Sequence, residues 1–343
     1  MANFLDRLAQ QSVHEELLRA NALLATQLAK AKATKDTHAE AVFRAVKEAV
    51  KDLELAPVPK PDRDRRVKGE EVAVAWLSDW QLAKITSSYN SEVCEERIAR
   101  YAEKVVSLTE IQRADHPVKK CVVVITGDLI EGELIFPGQH WLIDSSLYRQ
   151  ICVDGPRILG NFLRTMLANF DTVEVHAVIG NHGRLGGRSS RDMNPESNGD
   201  RMLYRITEQL LAGEKRLTWN IPDGDRDKAW YTVASIGNYK AMLLHGDQFR
   251  GFSMLSIRKT IGGWVMGAIP ETFNEVLFGH YHQPTTLTIN NVTARCAGSP
   301  ESDNEYAVEA LASIGQPSQP LLFVHPEKGI VTAEYCCWLS EDS

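Results

Sequence analysis

The chain has 343 residues, 43% of them hydrophobic and 24% charged, the composition of a soluble globular protein with a substantial buried core. A formal net charge of -7 at pH 7 argues against a protein that coats nucleic acid through a broadly basic surface, although not against a nuclease whose metal ions supply local positive charge. No stretch reaches the roughly 18 unbroken apolar residues of a membrane span, so no membrane role is expected.

Residues 1–55 contain neither glycine nor proline and are rich in Ala, Leu, Glu, Lys and Arg, which favours helix. Leu17, Leu24, Leu28 and Ala31 recur at helical spacing, and Thr37 with Glu40 forms a capping box ahead of Val42, Val46 and Val50. The segment reads as a helical arm, either packed on the protein's own body or joining copies of the chain into a homo-oligomer. Its first residues, "MANFLDRLAQQSVHEELLRA", lack the uninterrupted apolar core of a secretory signal, so a cytoplasmic setting is expected. Residues 56–70, "APVPKPDRDRRVKGE", are a Pro-rich charged linker.

From residue 71 to 343 the texture is that of one α/β domain. "VAVAWLS" (72–78), "CVVVITG" (121–127), "VEVHAVIG" (173–180), "KAMLLHG" (240–246) and "EVLFGH" (275–280) are buried strands. Helical periodicity over about 92–114 and 146–169 separates the first three strands, an α/β alternation. "TTLTINNVTARCAGS" and "LLFVHPEKGIVTAEYCCWL" predict hairpins turning at Asn290-Asn291 and near Lys328-Gly329. The six cysteines have no CxxC pairing and are expected to be reduced.

Each of the five strands ends in side chains able to bind a divalent metal. They are Asp79 and Gln81 in "SDWQ", Asp128 and Glu131 in "GDLIEG", Asn181 and His182 in "GNHGR", His245 in "LLHGD", and His280 and His282 in "GHYH". Ligand sites of open α/β folds gather beyond the carboxyl ends of strands, so these loops can meet at one rim. Imidazoles mixed with carboxylates and a carboxamide suit Mn, Fe or Zn better than Mg or Ca. A bridging Asp between two ions about 3.5–4 Å apart would let them clamp a phosphate and activate water, while a histidine outside the ligand set protonates the leaving oxygen. That chemistry is phosphoester hydrolysis.

The order of these motifs over residues 71–300 resembles that of the calcineurin-like metallophosphoesterase superfamily, whose pattern is DxH, GDxx(D/E), GNH(D/E), a lone His, then GHxH. The resemblance implies a four-layer αββα sandwich carrying an N-terminal helical arm, and two divalent ions, Mn first, with Zn, Fe or Mg as alternatives. It implies that Asp79, Gln81, Asp128 and His282 hold one ion while Asp128, Asn181, His245 and His280 hold the other. Asp128 would bridge, His182 would be the general acid, and Glu131 would stand behind the ligands. The chain departs from the pattern at Gln81, where the family has His, and at Gly183, where it has Asp or Glu. Gly132 replaces the arginine that follows GDxxD in protein serine/threonine phosphatases.

The segment after the third motif carries Arg184, Arg188 and Arg191, whose forks suit phosphate, and the segment after the second carries Phe136, His140, Trp141 and Tyr148, whose rings could stack on bases. Arg184, Arg188, Arg191 and Trp141 are therefore the candidate substrate contacts. Together these features point to a metal-dependent phosphodiesterase of the DNA-exonuclease-like, phage-type branch, acting on DNA or another nucleic acid. The alternatives are a phosphomonoesterase or cyclic-nucleotide phosphodiesterase, or a decayed scaffold or binding subunit.

Overall fold

The computed structural model describes residues 44, 56–62, 64–66, 69–185, 195–222, 230–303 and 315–340. The chain divides into two compact units, Met1–Glu48 and Ala49–Ser343. Apart from Arg44, the arm expected over 1–55 lies outside the described residues. Among the described residues, no helix is long and apolar enough to cross a membrane.

The second unit is a four-layer αββα sandwich. In chain order its strands are β1 (Glu71–Leu77), β2 (Val118–Ile125), β3 (Thr172–Ala177), β4 (Leu217–Asn220), β5 (Tyr231–Ile236) and β6 (Tyr239–Leu244), followed by β7 (Glu275–Phe278), β8 (Thr285–Ile289), β9 (Val292–Cys296), β10 (Ser318–His325) and β11 (Ile330–Trp338). One sheet has the order β11-β10-β1-β2-β3-β4 and the other β5-β6-β7-β9-β8. Strands β1 to β4 run parallel, as do β6, β7 and β9.

Alternation along the strands builds the layers. Val72, Val74 and Trp76 of β1, with Val122 and Val124 of β2, point at Ala241 and Leu243 of β6 and Leu277 of β7, forming the core between the sheets. The opposite face of the first sheet is covered by helices α1 (Ser91–Arg113), α2 (Gly155–Asn169) and α3 (Gly199–Leu210). Helix α4 (Met254–Gly263) covers the second sheet by placing Ile257 and Ile261 against Met242, Leu244, Val276 and Phe278. Asn90, Asn198 and Ser253 cap three of these helices, each accepting a first-turn backbone N–H.

The expected strands all form, but each stops short of its motif. For example, the run expected to reach residue 180 ends at Ala177. The helix expected over 146–169 is Leu147–Arg149, a π-helical turn over Gln150–Asp154, and then α2. The widened turn lies just ahead of Pro156, which has no N–H to donate and whose ring would crowd the carbonyl four residues back. Both C-terminal hairpins form, although they part company: β8–β9 completes the second sheet, while β10 pairs antiparallel with β1 in the first. Sequence reading did not find β4, β5, α3 or α4. The linker segment is tied to the body: Arg164 donates to the Ala56 carbonyl at 2.8 Å and Arg66 to that of Arg113 at 2.7 Å.

Candidate metal centre

The loops after β1, β2, β3, β6 and β7 meet at one rim. Five residues there, Asp79 (φ 53°), Gln81 (46°), Asp128 (53°), His280 (72°) and His282 (56°), adopt the left-handed region that side chains other than glycine avoid. Such conformations cost on the order of 1–3 kcal/mol each and persist only where surrounding contacts over-determine them. Those contacts run between the motifs. Asp79 N–H donates to the Gly127 carbonyl and Gln81 N–H to that of Asp128, both at 3.0 Å, while His280 N–H donates to the Asp79 carboxylate at 3.0 Å.

Asp128 is the centre of the cluster. Its Oδ2 lies 2.9 Å from His245 Nε2, and its Oδ1 accepts the His182 backbone N–H at 2.7 Å. The same His245 nitrogen lies 2.9 Å from Asn181 Oδ1 and 3.1 Å from His280 Nδ1. Nδ1 of His245 donates to the Thr126 carbonyl at 2.8 Å, which leaves Nε2 as the lone-pair nitrogen of the neutral ring. One Nε2 proton cannot serve three acceptors at once. A divalent cation can, and Asp128, His245 and His280 are grouped closely enough to hold one, with the Asn181 oxygen beside them.

Titration within the cluster reflects the same crowding. Burial pulls the His245 imidazole down, yet the Asp128 charge and its hydrogen bond push it up to about 10. Burial and then the His245 charge push His280 down to about 4. The Asp128 charge thus favours a proton on His245, and the charge on His245 disfavours one on His280. Against its own burial, Asp128 is held well below the usual carboxylate range by His245 and then by His182. Bound metal would replace the proton on His245.

His182 stands at the edge of this cluster with its Nδ1 2.9 Å from the Glu131 carbonyl and 3.2 Å from its Oε2. Burial lowers its affinity for a proton, but the Glu131 and Asp128 charges raise it to about 9, so the ring is an acid at neutral pH. Glu131 is fully buried and fixed through Oε1 by Gln139 Nε2 at 2.8 Å. The carboxylate missing at Gly183 is therefore supplied from Glu131. A side chain at Gly183 has no room, since a Cβ there would lie 2.3 Å from Asn198 Oδ1.

The other half of the rim is arranged differently. Asp79 Oδ1 lies 3.4 Å from His282 Nε2, and the same nitrogen lies 3.3 Å from the Gln81 amide nitrogen. The Gln81 carbonyl oxygen instead accepts from Lys84 Nζ at 2.8 Å. Lys84 also pairs with Glu301 at 2.6 Å, and Glu301 lies 3.1 Å from His282 Nδ1; both are ion pairs by distance without aligned hydrogen-bond geometry. Despite burial, Asp79 and Glu301 push His282 up to about 10, while His282 and Lys84 hold Glu301 near 2.

The structure thus brings together Asp79, Gln81, Asp128, Glu131, Asn181, His182, His245, His280 and His282. Arg184 is paired with Asp247, and Trp141 is 79% exposed in the segment after β2 rather than packed as a cover over the core. Arg188 and Arg191 lie outside the described residues. Sequence reading missed Lys84, Glu301 and Asp200. Asp200, fully buried at the start of α3, accepts the backbone N–H groups of Asp128 and Gly180 at 2.9 Å, Leu129 at 3.0 Å and Ile130 at 3.3 Å. Burial and then the Asp128 charge push it up to about 6, against the backbone N–H groups of Gly180 and Asp128, which favour the carboxylate. The available signals were "SNGD", an Asn cap followed by an acidic first turn, and the carboxylate in "GSPES".

No family model matches the chain, and no curated protein matches it significantly. It is similar to several solved structures. Vps29 from Entamoeba histolytica, crystallised with zinc, is 14% identical over 77% of this chain and 98% of that one, with a TM-score of 0.34. An archaeal phosphodiesterase is 10% identical over 77% and 99%, with a TM-score of 0.35. A predicted phosphoesterase from Streptococcus pneumoniae is 15% identical over 78% and 98%, with a TM-score of 0.30. Likeness at this level carries no argument about activity.

Proposed function

We propose that the chain is a metal-dependent phosphodiesterase, a hydrolase acting on DNA or another nucleic acid, with Mn as the preferred ion. The observation that carries this reading is the placement of His182, a partly buried acid braced by Glu131, beside the Asp128, Asn181, His245 and His280 cluster. An ion held by that cluster would polarise the phosphoryl oxygens and lower the pKa of a bound water. His182 delivers the proton to the departing oxygen, and Glu131 holds the ring in its charged form until then. Trp141, with Phe136 and Tyr148 also exposed, offers ring faces on which bases stack, which supports a polymeric substrate over a small phosphomonoester. Arg184, Arg188 and Arg191 are assigned to the substrate phosphates, Arg184 exchanging Asp247 for substrate. The arm over 1–55 is assigned to self-association, and the setting to the cytoplasm.

A panel of oligonucleotides, cyclic nucleotides and phosphomonoesters, with and without Mn, tests the reading. The expected result is Mn-dependent oligonucleotide degradation that His182→Ala abolishes while metal content stays unchanged. The bond that couples residue 182 to Asp128 is a backbone one and survives the substitution. Failure to hydrolyse any ester, or full turnover in His182→Ala, would refute it.

A further inference from the structure

We infer that this chain carries a single metal ion at Asp128, Asn181, His245 and His280, and that the Lys84 ammonium supplies the positive charge of the other half of the rim. The inference rests on the metal-dependent reading above. Four side chains form a closed ring: Lys84 to the Gln81 carbonyl oxygen at 2.8 Å, the Gln81 amide to His282 Nε2 at 3.3 Å, His282 Nδ1 to Glu301 at 3.1 Å, and Glu301 back to Lys84 at 2.6 Å. The ring engages Gln81 and His282, two of the four donors that a first ion would need.

Gln81 has one atom able to ligate, its carbonyl oxygen, and Lys84 engages it. Engagement there turns the amide nitrogen toward His282 Nε2, 3.3 Å away, the nitrogen that a metal would use. What remains is Asp79, whose two oxygens already accept from the His280 N–H and whose Oδ2 also accepts from Ser78 Oγ. The Lys84 side chain is 15% exposed and its partner Glu301 2%, so screening by water is weak and a dication placed nearby would meet an adjacent fixed cation. In the opposite half the close contacts run among the would-be ligands themselves, Asp128, Asn181, His245 and His280, and among the described residues no lysine or arginine is paired with them.

Mn2+ loading of the full chain, dialysis, and elemental analysis with Mn electron paramagnetic resonance test the inference. About one ion per chain and no spin-coupled pair are expected for the wild type, and loss of that ion in His280→Ala. The double variant Gln81→His/Lys84→Met, with folding checked by circular dichroism, is expected to bind about two ions with a coupled signal. Two ions in the wild type would overturn the single-ion inference while leaving the metal-dependent reading intact. A folded double variant that still binds one ion would overturn the role given to Lys84 and Gln81. A wild type that binds none would overturn the underlying reading as well.

Discussion

Asp200→Asn is expected to unsettle the metal centre without touching a ligand or the core. The Asp200 carboxylate accepts four backbone N–H groups, those of Asp128, Leu129, Ile130 and Gly180, which belong to the loops after β2 and β3. An asparagine keeps one acceptor oxygen. If that oxygen stays with Leu129 and Ile130, the new amide N–H2 faces the Asp128 and Gly180 N–H groups, donor against donor. Two buried N–H groups then lose their partners at about 1–3 kcal/mol each, so the cost is about 2–6 kcal/mol. Because those loops carry Asp128 and Asn181, their displacement should also weaken metal binding by about tenfold or more. Urea unfolding of the metal-free protein gives the first quantity, and Mn2+ titration of the folded variant gives the second. A loss below about 1 kcal/mol together with unchanged metal affinity would show that Asp200 does not hold the two loops in place.

Gly180→Ala attacks the same joint from the opposite side. A Cβ there would lie 2.0 Å from Asp128 Oδ1, so the variant is expected to lose about 1–3 kcal/mol and most of its bound metal, and normal thermal unfolding with full metal content would refute the packing argument. Far from the site, Glu174 is held down to about 2, first by its hydrogen bond from His176 and then, against burial, by Lys120. A depressed carboxylate contributes stability that is present above its unfolded value near 4.5 and is lost as pH falls toward 2. The group is partly solvated, so screening keeps the effect below about 1 kcal/mol. Glu174→Gln should therefore be slightly less stable than wild type at pH 7, with the gap narrowing below pH 4.5; a gap independent of pH would remove Glu174 as its source.

The five motif strands were legible because each is a short apolar run ending in a polar loop, and because buried parallel strands need apolar side chains on both faces. Every residue of β1 is buried, as that reading requires. Strands β4 and β5 carry weaker signals. β4 is four residues long and alternates exposed with covered positions, so it resembles a loop in sequence. Helix α3 begins at Gly199 inside a polar stretch, and its apolar face shows only once Met202, Leu203 and Ile206 are seen packed. Turn geometry explains where the strand readings overshoot. Asp79, Asp128 and His280 sit in left-handed turns just past the strand ends, a conformation that Asp and His tolerate better than most residues other than glycine and that an apolar strand pattern does not reveal.

Within the site, what sequence could supply was the donors, and what it could not supply was their allegiance. Asp79 and Asp128 belong to equivalent strand-end turns, yet Asp128 stands in a group of three further side chains able to surround a cation, while Asp79 faces an imidazole against which the Gln81 amide is set. Gln81 taken alone is a weak ligand in the place of a stronger one. Taken with Lys84 three positions later and Glu301 more than 200 positions later, it is one side of a ring whose cations, Lys84 and His282, face the Glu301 and Asp79 carboxylates without an ion. Neither Lys84 nor Glu301 occupies a motif position, and a lysine near a carboxylate is ordinary on a protein surface. Their significance comes from burial, because an ion pair this poorly exposed is not screened by water as a surface pair is. Truncating one partner of such a pair leaves the other as an uncompensated buried charge, which is far more costly than losing a surface pair. Lys84→Met alone should therefore destabilise the fold by leaving Glu301 with His282 as its one remaining cationic partner among the described residues, whereas adding Gln81→His lets Glu301 and Asp79 share a bound metal ion instead. The double variant is accordingly expected to unfold at a higher temperature with Mn2+ than without it, by a margin larger than wild type shows. Equal margins would mean that no second ion enters the ring's place.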